Sequence, residues 1–520
     1  MSSQFSSTGT KAAAATVGTA ALAGRSRWLI LMVLVVAQLT VWLDNTILNV
    51  ALQTLADPVR GIGATPSELQ WSISSYALIF AALLFTGGVL GDRLGHRNVL
   101  VTGMVIFGAA SVWAAYSGGP QELIIARGFM GVGSALVMPA TLAIINQIFA
   151  GKERATAIAA WSGSSGLAIA AGPLVGGALL ENFWWGSIFL LNVPFVIVAV
   201  LGAVMIVRIP RVRRPHKFDP AGVLLSTAGL FALVYGVIEG GNKGSWAHLD
   251  VLGPIVGGLV LLAAFVVVEL RGRNPSFDMR LFRSPKFTGA SVSVMLTFFG
   301  LTGTMYYSSF YLQGARGLSP LGTGLALAPV ALGVVLGAPL SDVLVRRAGI
   351  RWVVVVAMLI ATGSYYCYAF LTTQTPLPWF WLLLFVEGAS LGAVMAPTTE
   401  AVMGSLPVET SGAGAAVNNA MRQVGGVLGV AVLGSVLSTV YSSNVAPKLA
   451  TLPPPVRDAA TASAEATRVV AAKVHAPQLI SAANDSFVHS MHVATVVGAA
   501  VSLAGVIVAF VFFGRKEQTS

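Results

Sequence analysis

The sequence predicts an all-α polytopic membrane protein of 14 transmembrane helices, arranged as two six-helix bundles with an inserted helix pair. Three observations carry this expectation. Of 520 residues, 55% are hydrophobic and only 10% are charged, whereas a soluble domain carries about 25% charged residues. The chain divides into apolar runs close to the ~20 residues that a spanning helix needs, too long for barrel strands and without two-residue alternation. Lys and Arg fall unevenly between alternate connecting segments, as the positive-inside rule requires.

The runs lie near 28–50, 70–90, 98–117, 121–147, 156–180, 187–207, 220–240, 249–269, 287–312, 321–344, 351–372, 379–403, 412–438 and 489–513. With the N-terminus inside, the inner segments hold 22 of the 31 basic residues and the outer segments hold 7; Arg127 and Arg422 lie within runs. Both termini are therefore expected in the cytoplasm. The formal charge of +11 is explained by this topology. It forms no basic stripe with interleaved aromatics, so nucleic acid is not an expected partner. The chain should meet lipid, a small-molecule substrate and protons, function as a monomer, and need no cofactor beyond a proton gradient. No Walker loop, HExxH helix or GxSxG elbow is expected in the chain, and so no enzyme activity. The lone Cys367 reads as a small packed residue. His489 and His492 are too few to define a metal site. The Arg, Ala and Gly bias suits a bacterial cell membrane.

Residues 1–27 read as a disordered cytoplasmic segment, rich in Ala, Ser and Thr. The first bundle then covers 28–207. Two arginine-rich inner linkers bracket the inserted pair within 208–286. The second bundle covers 287–514, with an outer loop at 439–488 holding a short surface helix, and 515–520 form a cytoplasmic tail. The bundles look internally related. "VLGDRLGHR" follows the second run of the first, and "PLSDVLVRRAGIR" the second run of the last. "GSALVMPAT" and "LGAVMAPTT" mark the fourth runs. Duplicated halves are a transporter architecture, with the substrate site between them near the midplane.

Asp44 interrupts the first run, about 24 Å from Trp28 at 1.5 Å per residue. A carboxylate is costly in lipid. It is either a structural Asp held by Asn45, Thr46 or Asn49, or a group that takes up and releases a proton as burial and a nearby cation oppose each other. In the second case proton and cationic substrate would compete for it. Arg127, in the fourth run, either snorkels to the outer interface or faces a cavity and tunes that carboxylate. Glu387 and Glu400 in the twelfth run, and Glu239 near the end of the seventh, are candidates for a second proton or substrate site. Gly91 and Gly95 permit a tight turn, in which Asp92 can hold Arg93 or Arg97 or cap the next helix. Gly172, Gly176 and Gly177 form a small-residue face, and Pro173 can kink the helix carrying it. Tyr306, Tyr307, Phe310 and Tyr311 read as an interfacial belt or as a stacking surface for a flat substrate.

Four stretches carry a family resemblance. "GGVLGDRLGHRNVL" (87–100), with Gly88, Gly91, Asp92, Arg93, Gly95 and Arg97, resembles the gating loop of the major facilitator superfamily. "LDNTILNVAL" (43–52) resembles the first-helix motif of its fourteen-helix drug:proton antiporters. "RGFMGVGSALVMPA" (127–140) resembles the fourth-helix motif, with Met130 where Gln is usual. "GLAIAAGPLVGG" (166–177), with Gly166, Gly172, Pro173, Gly176 and Gly177, resembles the antiporter motif of the fifth helix. "FLLNVP", "YLQGARGLSPLGTG" and "AVNNAMRQVGG" extend the similarity over nearly the whole chain. The resemblance implies a proton-coupled exporter of small hydrophobic or cationic organic compounds, working by alternating access. An importer or lipid-like flippase of the same fold is the alternative. It implies that Asp44 and Arg127 couple protons, and that Arg422 faces the cavity with Asn418, Asn419 and Gln423.

Overall fold

The structure is a computed structural model describing residues 24–207, 219–244, 246–272, 279–404 and 411–514. Most of the segment expected to be disordered, most of the two basic linkers and the tail 515–520 lie outside these residues. The first half comprises α1 (Gly24–Ala56), α2 (Pro66–Leu94), α3 (His96–Ala115), α4 (Pro120–Ile148), α5 (Gly151–Asn182) and α6 (Asn192–Met205). The inserted pair is α7 (Pro220–Lys243) and α8 (Leu249–Arg271). In the second half α9 (Pro285–Ser309) runs on as a π-helical turn, Phe310–Ala315. A long helical stretch, Pro320–Tyr368, is divided at Gly349 into α10 (320–348) and α11 (350–368). Then come α12 (Leu377–Gly404), α13 (Ser411–Val445), two short helices α14 (Pro454–Thr461) and α15 (Ala464–Lys473), and α16 (Pro477–Phe512).

Helix boundaries follow local chemistry. Thr65 and Glu68 form a capping box at α2, with Pro66 at the first position, where its missing N–H costs nothing. Asp219, Ser284 and Ser319 cap α7, α9 and α10, each followed by proline. The bundle thus has a basic end, carrying the 94–96 and 349 turns, and an opposite end covered by α14 and α15, the capped end.

Among the described residues, 13 helices are long and apolar enough to cross a membrane, one fewer than the sequence predicts. The difference lies in Pro320–Tyr368, 49 residues long, or about 74 Å as one helix, more than twice a bilayer core. Gly349 breaks it with φ 80° and ψ 158°. The two sides of that break are the expected runs 321–344 and 351–372. Gly95, in the related loop of the first half, has φ 93°. Both turns use a backbone region open mainly to glycine, which supports the internal repeat.

Packing repeats as well. A side chain at Gly87 or Gly131 would overlap the backbone of the partner helix where α2 meets α4. The same holds for Gly333, Gly337, Gly388 and Gly392 where α10 meets α12. Such pairs let helices approach closely in lipid, where packing rather than water drives association. Gly388-Ala389-Ser390-Leu391-Gly392 fits the GxSxG spacing of a hydrolase elbow. It lies in the middle of α12, however, not at a strand-to-helix turn, and its glycines serve this contact.

Three expectations are corrected. The outer loop is shorter than 439–488, because α13 continues to Val445 and α16 begins at Pro477; it holds two short helices rather than one. Cys367 is exposed, not packed. Tyr306, Tyr307 and Tyr311 are at most 1% exposed and belong to the interior. Among the described residues the exposed aromatics at the capped end include Trp113, Tyr116, Phe183, Trp184, Trp246, Tyr366, Phe370, Trp379 and Trp381, and they form the belt instead.

Candidate functional site

A cavity of about 80 Å³ lies between the halves. The first half contributes Trp42, Asn45, Thr46 and Asn49 from α1 and Ala77 from α2. The second contributes Phe298 and Met305 from α9 and Arg422 and Gln423 from α13. The wall is apolar and aromatic with a few hydrogen-bonding groups, as small-molecule sites are. Arg422 is its one charged member among the described residues. Arg422 Nη2 donates to Thr399 Oγ1 at 3.3 Å, and its guanidinium lies 5.6 Å from the Phe298 ring centre. Asn418, expected beside it, donates to the same Thr399 Oγ1 at 3.1 Å. Neither Asn418 nor Asn419 lines the cavity.

Asp44 sits on the other side of α1. It is 1% exposed and ion-paired to Arg127 Nη1. Asn192 Nδ2 donates to its second oxygen at 2.9 Å and to Ser111 at 3.3 Å. Arg127, also 1% exposed, donates through Nε to the Ser72 carbonyl at 3.1 Å and stacks 4.4 Å from the Tyr76 ring centre. Tyr76 in turn bonds Ser134 at 2.9 Å. Met130 places only a thioether 3.9 Å from Arg127 Nη1, a weak acceptor where glutamine would offer a strong one. Both alternatives for Arg127 are corrected: it neither snorkels nor faces the cavity, but completes a dry charge pair inside the first half. The structural reading of Asp44 through Asn45, Thr46 or Asn49 fails too, since its partners come from α4 and α6. Direct competition between proton and substrate for this carboxylate does not fit this conformation, because Asp44 does not line the cavity.

Of the other acids, Glu387 is 2% exposed and accepts from Tyr368 at 3.3 Å, with Tyr365 and Thr304 also bonded to it. Like Asp44 it lies inside one half, off the cavity. Glu400 is exposed near the basic end of α12. Glu239 pairs with Lys243 at 3.2 Å at the end of α7, where Lys243 also binds Asp250. Neither Glu400 nor Glu239 lines the cavity, so neither is placed to contact a substrate held there.

The antiporter motif has found its partners. A side chain at Gly172 or Gly176 would run into Thr46 or Ile47 of α1, and one at Gly177 into Pro320 and Leu321 of α10. Gly166 meets only open space and makes no such contact. In the gating loop Asp92 faces His96 Nε2 at 3.4 Å. The N-cap position of α3 is Gly95, which has no side chain to cap it. Arg97 donates to the Ala203 and Val204 carbonyls at 3.0 and 2.5 Å, tying the loop to the end of α6. A side chain at Gly91 would overlap the His96 ring, while Gly88 is in ordinary contact with Pro139.

The halves are joined at the capped end. Gln313 Nε2 donates to the Val50 carbonyl at 2.8 Å, and Tyr306 to the Pro66 carbonyl at 3.3 Å. Glu181 accepts from Ser319 and from the Leu321 N–H at 2.8 and 3.1 Å. Gln53 bonds Glu465 on the cap helix α15. Arg468 holds Glu465 at 3.1 Å and Asn484 at 2.9 Å, which fastens the cap to the second half. Asn192, Tyr76 and Gln53 were missed as site residues. Asn192 is a polar residue in an apolar run, the same signal that singled out Asp44, whereas Gln53 lies just past the end of the first run.

Two repeated six-helix halves around a central cavity, with a buried ion pair beside it, define a membrane transporter. The chain matches the Major Facilitator Superfamily over residues 34–430. It belongs to that superfamily. It is 30% identical over 505 residues to the tetracenomycin C resistance and export protein of Streptomyces glaucescens, covering 94% of this chain and 92% of that one. It is 32% identical over 493 residues to the multidrug efflux pump LfrA of Mycolicibacterium smegmatis, covering 94% and 96%. To the puromycin resistance protein pur8 of Streptomyces alboniger it is 34% identical over 425 residues, covering 81% and 84%. Among solved structures, an inward-facing, unoccupied bacterial homologue of the human lysosomal transporter Spinster superposes with a TM-score of 0.66 at 19% identity, covering 94% of this chain and 98% of that chain. That likeness concerns the fold.

Proposed function

We propose that the protein exports small, largely apolar organic compounds, antibiotics among them, across the cell membrane in exchange for protons. The observation that carries the reading is the cavity between the halves, closed at the capped end, in a chain whose relatives along nearly its full length are drug exporters. The basic end is the cytoplasmic one, by the bias of Lys and Arg. In this conformation cargo would reach the cavity from the cytoplasm. Aromatic walls with Asn45, Asn49 and Gln423 suit a flat molecule bearing hydrogen-bonding groups.

Helix α1 links proton to cargo. One face holds Asp44 against Arg127, the opposite face lines the cavity, and its end carries the contacts of Val50 and Gln53 that seal the capped side. A proton on Asp44 cancels the charge that holds Arg127. Taken up from the outward-open side, that proton lets α1 return and the seal re-form. Its loss to the cytoplasm restores the pair before the next cargo is carried out, so the proton acts through the helix rather than by displacing cargo from the carboxylate. For a neutral cargo, each pH unit supplies ~1.4 kcal/mol per proton and each 100 mV ~2.3 kcal/mol. Glu387 is the second proton candidate, by its burial among hydroxyl groups.

Cells lacking the gene should accumulate more of a susceptible drug, and a panel of chemically diverse antibiotics with and without the gene should show lost resistance. Lower internal drug in the deletion strain would favour the importer instead. The seal has its own test. Cysteines at Gln53 and Glu465, bridged by a short bis-maleimide in a Cys367→Ala background, should arrest efflux, and the same reagent on either single cysteine should not.

A further inference from the structure

The cavity between the halves carries a charge that its own walls do not balance. Arg422 donates through Nη2 to a neutral hydroxyl, Thr399, and its Nε is buried without a partner in the protein. A guanidinium stays charged at any working pH. Among the described residues no Asp or Glu lines the cavity. Glu400, next in sequence to Thr399, is exposed on α12. Asp44, the buried acid of α1, is taken up by Arg127.

Two other residues of the wall have a buried polar atom with no partner in the protein. They are Trp42, through the donor Nε1, and Asn49, through the acceptor Oδ1. Trp42 is only 7% exposed. Seven residues separate it from Asn49, so both lie on one face of α1, about two turns apart, with Asn45 between them. Their neighbour Thr46 is satisfied, donating to the Ala168 carbonyl of α5 at 3.1 Å. Buried polar groups are almost always paired, and one left alone forfeits its hydration. The three atoms therefore describe a complement: two acceptors, one of them carrying negative charge, and one hydroxyl donor. Trp42 and Asn49 belong to the first half and Arg422 to the second, so a molecule that meets all three bridges the halves.

We infer that the central cavity selects aromatic acids. A carboxylate or phenolate meets Arg422, whose planar fork suits such a group. A second oxygen accepts from Trp42, and a hydroxyl donates to Asn49. A lipophilic cation of the same shape sets its charge against Arg422 in a medium of low dielectric and leaves both donors without acceptors. The direction in which the acid moves rests on the export reading; the preference in binding does not. An anion leaving as a proton enters moves two charges, so the membrane potential acts on it twice as strongly as on a neutral cargo.

The test measures equilibrium binding to the full-length protein in phosphatidylcholine nanodiscs. One ring system carries three different groups: a dihydroxyanthraquinone carboxylate, its uncharged methyl ester and its cationic aminomethyl analogue. The carboxylate is expected to bind about tenfold more tightly than the ester, and the cation more weakly than either. In Arg422→Gln the preference for carboxylate over ester should vanish, and Arg422→Lys should keep part of it. Trp42→Phe keeps an aromatic ring without the donor and should weaken carboxylate and ester alike, about threefold. Thermal unfolding and size-exclusion profiles establish that each variant is folded, and the ranking in the wild type needs no variant. A cation bound as tightly as the carboxylate, or a carboxylate preference that survives in Arg422→Gln, would overturn the inference. So would a preference that disappears when phosphatidylglycerol replaces phosphatidylcholine, because lipid phosphate would then be the group that Arg422 takes. Binding needs no gradient. The expected ranking without proton-driven efflux would sink the export reading and leave the selectivity standing; drug export with no ranking would sink the selectivity alone.

Discussion

Asp44→Asn is expected to abolish pH-gradient-driven efflux while leaving the protein folded and able to exchange labelled for unlabelled drug without a gradient. Asparagine keeps an oxygen toward Arg127 and fills the same volume, yet it can neither take up nor release a proton. Arg127→Ala should be more damaging. It leaves Asp44 buried beside Asn192 with its ion-pair partner gone, and removing one member of a buried pair costs about 3–5 kcal/mol. Asp44→Asn combined with Arg127→Gln separates stability from coupling. With both charges gone the desolvation penalty goes too, so the double variant should unfold closer to wild type than Arg127→Ala does, while proton-driven transport stays lost. Efflux by Asp44→Asn at the wild-type rate under a pH gradient in proteoliposomes would end the assignment. Simple misfolding would lower exchange and driven efflux together, and the exchange assay detects that.

The pair shows how far sequence reasoning reaches. Asp44 and Arg127 stand out because lipid tolerates no isolated charge, and that argument holds whatever they touch. It cannot say which way a side chain points around its helix. Asn45, one residue on from Asp44, is turned by about 100° and faces the cavity, whereas Asp44 faces α4. The spacing of Gly172, Gly176 and Gly177 announced a close contact; only the packing shows that two meet α1 and the third meets α10 across the seam. Glycine at 95 and 349 was legible because a left-handed turn restricts residue choice. The tyrosines of α9 misled because aromatic residues near a helix end have two physical outcomes, belt or core, and neighbouring helices decide between them. Gln53 and Glu465 are separated by most of the chain, so their bond had no local signature.

Gly324→Val should have an effect as large as loss of the proton site, by a different route. A side chain at Gly324 would overlap the Pro173 carbonyl of α5, and one at Gly177 the Pro320 carbonyl of α10. These contacts belong to the closed capped end, and opening that end would draw α5 and α10 apart. Forcing extra methyl groups into a packed contact costs about 1–3 kcal/mol, and every 1.4 kcal/mol is a tenfold change in a conformational ratio. The cost falls on one conformation and not on the fold, because opening the capped end removes the overlap. The variant should therefore assemble normally, rest with its capped side open, and export nothing. Thr323, fully buried on α10, reports the shift. A cysteine placed there, with Cys367→Ala, should react slowly with a membrane-impermeant maleimide applied from the capped side, and at least tenfold faster when Gly324→Val is added. Gly166→Val is the control, since that glycine faces open space, and it should leave the reaction rate unchanged. Equal rates with and without Gly324→Val, in a protein that still exports drug, would mean that the close approach of α5 and α10 plays no part in the seal.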